Sequence, residues 1–266
     1  MTRIITITGG KGGSGKTSSA INIASALNYF GKKSIVVDAN LTTPNIGLHL
    51  GAPIVPVTLH DILKGKNHIT ESIYVHPSGI RVILSSISLN ALKNVDPEKL
   101  ELVIQDLHGE SDFIILDSAA GLGREALAAI KASEEVIILT NPEISAVTDA
   151  LKTIKLSKEL GKDILGVVVN KTNPKNMDMS LENIEAMLET QIIGVIPEDR
   201  AMKFATARKD SVVNMYPDSP SSVSYKKLAA HLSNLNFEEP ISEEKAQKSI
   251  LESMADYVVR WLGLKD

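Results

Sequence analysis

The chain contains no cysteine. That excludes disulfides, thiolate zinc sites, thiol nucleophiles and cysteine-held iron–sulfur clusters on this polypeptide. It also lacks any run approaching the roughly 18 consecutive apolar residues of a membrane-crossing helix. The amino terminus, Met1 to Thr8, is too short and too rich in threonine for a signal-peptide core. The expectation is a soluble, cytoplasmic protein. An excess of positive charge is missing too: Lys plus Arg is 28 against 32 for Asp plus Glu, a net charge of −4. Broad-surface binding of nucleic acid is therefore not indicated. Internal repeats and low-complexity tracts are absent. The six histidines (His49, His60, His68, His76, His108, His231) show no metal-ligand spacing and read as surface or loop residues for the most part.

What is present is a globular composition, 43% apolar and 23% charged over 266 residues. Short runs rich in Ile and Val recur at 4–8, 35–38, 82–84, 113–117, 136–140, 165–170 and 192–196. They are nearly continuous rather than alternating, as in strands covered on both faces. Between them lie helical spacings. Ala20, Ile23, Ala24 and Leu27 mark one helix, stopped at Gly31; Val147, Leu151 and Ile154 mark another, ending before Gly161. The alternation predicts an α/β fold with a mostly parallel central sheet and helices on both faces. The polar stretch Asn234 to Pro240 reads as a linker. The expected organisation is a domain over 1–233, a linker over 234–241 and a helix over 242–266.

The sharpest local signal is Gly9-Gly10-Lys11-Gly12-Gly13-Ser14-Gly15-Lys16-Thr17, directly after the first strand and opening the first helix. From Gly10 it fits the phosphate-binding P-loop pattern in the strand–loop–helix context that pattern requires. Glycines let main-chain N–H groups wrap a phosphate, and the helix start at Lys16, with Ser18 in its first turn, offers a positive dipole end. Lys16 adds a mobile charge for the terminal phosphates, and the Thr17 hydroxyl can ligate Mg²⁺. A nucleotide bound with Mg²⁺ is the expected ligand. Two apolar runs end in an acid, Asp117 and Asp38, and these are the candidate carboxylates on the metal side. Ser118 and Thr17 have no base arranged for covalent catalysis.

Lys11, just after the first glycines, gives the form K-G-G-x-G-K-[ST]. This resembles the MinD/ParA family of deviant Walker A ATPases, and within it the MinD branch. Asp38 to Asn45 is similar to the family's switch I, and Asp117-Ser118-Ala119-Ala120-Gly121 to its switch II. Asn141 to Ser145 and Gly194 to Asp199 carry further MinD-like signatures, so the likeness spans about Met1 to His231. The resemblance implies two subunits sandwiching two ATP molecules, with Lys11 reaching across to the partner's nucleotide. It places Asn170 on the adenine edge, with Pro197, Glu198 and Asp199 closing the other side of the base. Two departures stand out. Asn40 replaces the second aspartate of switch I, and an amide can hold a water but cannot take its proton. Ala119 replaces a proline in switch II. Slow ATP hydrolysis is the expectation, in a switch that positions another component such as a division site, together with an activating or cargo protein.

The final segment carries an apolar stripe, Ile250, Leu251, Met254, Ala255, Val258, Trp261 and Leu262. Family members often end in an amphipathic helix that contacts membrane once ATP makes the dimer. Here 242–266 holds five acids and four bases, whereas surface-binding helices are usually basic. Peripheral contact with the inner face of the cell membrane and packing on protein both stay open. The rival function is a ParA-like DNA-segregation ATPase binding nonspecific DNA as a dimer. It needs a cluster of bases where the sequence offers only scattered ones such as Lys203, Arg208 and Lys209. A metabolic synthetase on the same loop would need a substrate pocket that the sequence does not identify.

Overall fold

A computed structural model describes residues 2–238, and the expected helix over 242–266 lies outside the described residues. Among the described residues eight strands form one sheet: β1 (Arg3–Thr8), β2 (Ser34–Asp38), β3 (Ile73–Val75), β4 (Arg81–Ile83), β5 (Phe113–Asp117), β6 (Glu135–Thr140), β7 (Asp163–Thr172) and β8 (Ile192–Pro197). Their order is β3-β4-β2-β5-β1-β6-β7-β8, and all neighbours run parallel except β3 and β4. The mostly parallel α/β architecture expected from the sequence is the one found.

Ten α-helices occur among the described residues, seven between strands and three after β8. They are α1 (Lys16–Tyr29), α2 (Ile46–His49), α3 (Leu59–Leu63), α4 (Leu100–Gln105), α5 (Arg124–Lys131), α6 (Ile144–Glu159), α7 (Leu181–Leu188), α8 (Arg200–Ala207), α9 (Val212–Met215) and α10 (Pro220–Leu232). Their ends follow local chemistry. Asp199 caps α8 by accepting the Ala201 N–H at 2.8 Å, and Ser219 caps α10, which has Pro220 in its first turn. Gly31 and Gly161 take positive φ just beyond α1 and α6, where both helices were expected to stop.

Side chains alternate across the sheet, so each central strand feeds two cores. On one face Ile5, Ile7, Val36 and Ile115 meet Ala24 and Leu27 of α1 and Leu228 of α10. On the other, Ile4, Ile35, Val37 and Leu116 pack with Ile104 of α4 and Ala129 of α5, while Ile138, Val167 and Val169 pack with Val147 of α6 and Ile184 of α7. Each fully buried aliphatic side chain contributes about 1.5–3 kcal/mol. This double coverage is why the strands read as continuous apolar runs, and it fixes the carboxyl ends of β1, β2 and β5 side by side.

Candidate functional site

Register places the acids. Asp38 on β2 is directly opposite Asp117 on β5, and Asp117 is opposite Ile7 on β1. The loop Gly9–Gly15 leaves β1 at this edge and returns as α1. It runs tightly against its surroundings: a Cβ on Gly10 would stand 2.4 Å from that of Asp149 in α6. Gly15 turns into the helix with φ 102. Lys16 follows and is buried, 7% exposed, its Nζ donating to the carbonyls of Lys11 at 3.2 Å and Gly9 at 3.4 Å. Burial pushes its ammonium pKa down, and the nearby charge of Asp117 pulls the other way.

Thr17 Oγ1 donates to Asp117 Oδ2 at 2.6 Å. Asp38 Oδ2 accepts the N–H groups of Asn45 and Ile46, both at 3.0 Å. The second oxygen of each carboxylate, and Ser14 Oγ in the loop, are buried without a partner among the described residues. Burial pushes Asp117 up to about 7, against the Thr17 hydrogen bond and the Lys16 charge. Asp38 is raised well above its usual value by burial and by Asp117. Buried oxygens without donors, beside a threonine hydroxyl, are a hard-cation donor set, so these residues fit Mg²⁺.

Asn40 sits nearby, 9% exposed, with both ends of its amide engaged. Nδ2 donates to Thr43 O at 2.6 Å, and Oδ1 accepts from Thr43 Oγ1 at 3.0 Å. Thr42 donates both its N–H, at 3.2 Å, and its hydroxyl to Glu125 of α5. Lys11 projects from the loop and pairs with Glu143, the residue preceding α6; the pair is about half exposed. That ammonium holds the Glu143 carboxyl below its usual range.

Two cavities flank the loop. One of about 450 Å³ is lined by Gly12, Gly13, Gly15, Lys16, Thr17, Ser18 and Asn40, among others. The second, about 500 Å³, is lined by Asn170, Pro197, Glu198, Asp199 and Met202, and shares Gly15, Ser18 and Lys171 with the first. The structure thus gathers the expected residues at one sheet edge. Gly10, Lys11, Ser14, Asp38 and Asp117 belong to the loop and strand ends without lining either cavity. Asn170 donates Nδ2 to Ser14 O at 2.8 Å, tying β7 to the loop. Asp199 accepts from Ser221 N–H at 3.1 Å and Ser221 Oγ at 2.7 Å, joining α8 to α10.

Three residues escape the sequence reading. Glu143 lies within a quoted signature, but nothing in the sequence pairs it with Lys11. Lys171 donates Nζ to Gly13 O at 2.8 Å. His60, expected among surface or loop residues, is fully buried on α3, its Nδ1 accepting the Ser86 N–H at 3.1 Å.

A mostly parallel sheet whose central strand passes through a glycine loop into a helix, with paired acids at the adjoining strand ends, defines the P-loop class of nucleotide-binding folds. The chain belongs to the CobQ/CobB/MinD/ParA nucleotide binding domain family, whose profile matches residues 5–212. An ATP-binding protein of Methanocaldococcus jannaschii is 41% identical over 241 residues, 91% of either chain. The cell division ATPase MinD of Pyrococcus furiosus superposes with a TM-score of 0.85 at 37% identity, over 89% of this chain and 100% of that one. The septum site-determining protein MinD of Pyrococcus horikoshii, complexed with Mg-ADP, gives 0.84 at 36% identity, over 87% and 96%. MinD and ParA members of the family are ATPases.

Proposed function

We propose that this protein is a MinD-like switch that binds Mg-ATP, dimerises with it, hydrolyses it slowly, and so positions another cell component such as a division site. The observation that carries this reading is the pair of strand-end acids: Asp38 and Asp117 each keep a buried oxygen without a partner among the described residues, beside Thr17 at the loop's end. The loop amides and Lys16 would grip the phosphates. Thr17 and Asp117, with Asp38 behind them, would hold Mg²⁺, which supplies charge compensation on the phosphate oxygens. Asn170 and the turn Pro197–Asp199 would hold the base in the second cavity.

Among the described residues the Lys11 side chain is held by an exposed pair with Glu143, an interaction worth about 0–1 kcal/mol. A polyphosphate on a second subunit is a stronger partner, so Lys11 is free to exchange. The test is sedimentation of the protein with ATP and with ADP. A dimer should form with ATP alone, and Lys11→Ala should abolish it. A monomer under both nucleotides, or an unaffected Lys11→Ala dimer, contradicts the switch.

Asn40 sets the pace. Its amide can position a water but takes no proton from it, so hydrolysis relies on positioning and charge. Asn40→Asp is expected to speed single-turnover hydrolysis by about 10-fold or more, within the range of general-base catalysis. Equal rates would mean position 40 plays no part. Slow turnover would keep the dimer long-lived, and an activating or cargo protein would find its docking face in that state.

A further inference from the structure

Consecutive residues on a strand point to opposite faces, so Asn170 and Lys171 of β7 should diverge. They converge instead. The pairing of β7 with β8 slips between Asn170 and Thr172, and Lys171 takes φ 57, a left-handed conformation that costs a side-chain-bearing residue energy. The Lys171 N–H donates to Asn170 Oδ1 at 2.9 Å, which holds the irregularity in place. The consequence is that both side chains reach one loop: Asn170 Nδ2 to Ser14 O and Lys171 Nζ to Gly13 O, each at 2.8 Å. Lys171 also stands on the wall shared by the two cavities. A strand bulge beside a site re-aims a side chain, and strained backbone concentrates where function requires it.

Resting on the nucleotide-binding reading above, we propose that Lys171 is a positioning residue of that site. Its ammonium ties down the Gly13 carbonyl, so the loop keeps its phosphate-ready shape before a nucleotide arrives. The bulge exists to deliver it there. Glu143, the partner of Lys11, also feels the Lys171 charge, so the bulge sets its cation among the groups that govern the loop.

The test is calorimetric titration of Mg-ADP into the full-length wild type, Lys171→Gly and Lys171→Arg, with a thermal melt of each. Glycine adopts φ 57 without strain, so Lys171→Gly should melt at or above the wild-type temperature while losing about 10-fold in affinity, the weight of one charge-assisted hydrogen bond. Lys171→Arg should keep most of the affinity. Wild-type affinity in Lys171→Gly overturns the proposal. So does a parallel fall of affinity and melting temperature, which marks Lys171 as a structural prop only. Absence of wild-type binding instead overturns the nucleotide reading on which the proposal stands.

Discussion

Asp117→Asn is expected to stabilise the nucleotide-free protein above pH 7 while lowering ATP turnover by roughly 100- to 1,000-fold, the usual effect of removing one preorganised electrostatic group. The two effects share one cause. The Asp117 carboxyl is pushed from 3.8 up to about 7 by burial, so the folded state holds a proton that the unfolded state has released. Stability from this group is full below the lower value, and it is lost as pH rises toward and through the upper one, by an amount on the order of a few kcal/mol. An amide at position 117 carries no charge to bury, and it also relieves repulsion on Asp38. Melts at pH 5 and pH 8 should therefore show a steep decline for the wild type and a flatter one for the variant. Mg²⁺ at pH 8 should raise the wild-type melting temperature and leave the variant nearly unmoved. A variant that melts below wild type at pH 8 would show that Asp117 is a net stabiliser, with no latent charge waiting for a cation.

Gly15→Ala carries the second large effect. Backbone at φ 102 suits glycine alone, and an added Cβ would stand 2.3 Å from Asn170 Nδ2. That nitrogen is itself bonded to Ser14 O, so the methyl cannot enter without breaking the tie between β7 and the loop. Left-handed backbone costs about 1–2 kcal/mol and overpacking about 1–3 kcal/mol, giving a total loss of roughly 2–5 kcal/mol. Nucleotide affinity should fall by about 100-fold or more, because the loop moves with its anchor. Gly13→Ala is the control. It also sits at positive φ, 76, but no described residue lies within 4 Å of its added Cβ. Only the backbone penalty of about 1–2 kcal/mol applies there. Urea midpoints of the two variants measure the difference, and equal costs would mean that the contact with Asn170 is unimportant.

The sequence made some of this legible and withheld the rest for identifiable reasons. Strands covered on both faces become unbroken Ile and Val runs, so the seven strands from β1 to β8 other than β3 stand out. β3 is three residues of half-buried antiparallel edge, Ile73-Tyr74-Val75, too short to carry a period. Strand order depends on crossovers, to which local patterning is blind. The loop and the acids Asp38 and Asp117 are legible because glycine spacing and strand ends are local features. The reach of Lys171 is not, since its bulge comes from pairing with β8, about twenty residues on. Nor is the double engagement of Asn40 with Thr43, or the burial of His60, which follows from where α3 lies against Ser86.

In the proposed function the glycine loop, Lys16, Thr17 and the two strand-end acids act as one magnesium-dependent nucleotide site. The decisive measurement is calorimetric titration of ADP into the wild-type protein, with Mg²⁺ and with a chelator. Binding that tightens markedly with Mg²⁺, and loses that dependence in Asp117→Asn, is the predicted result. Equal heats with and without the cation, or no heat at all, would contradict it.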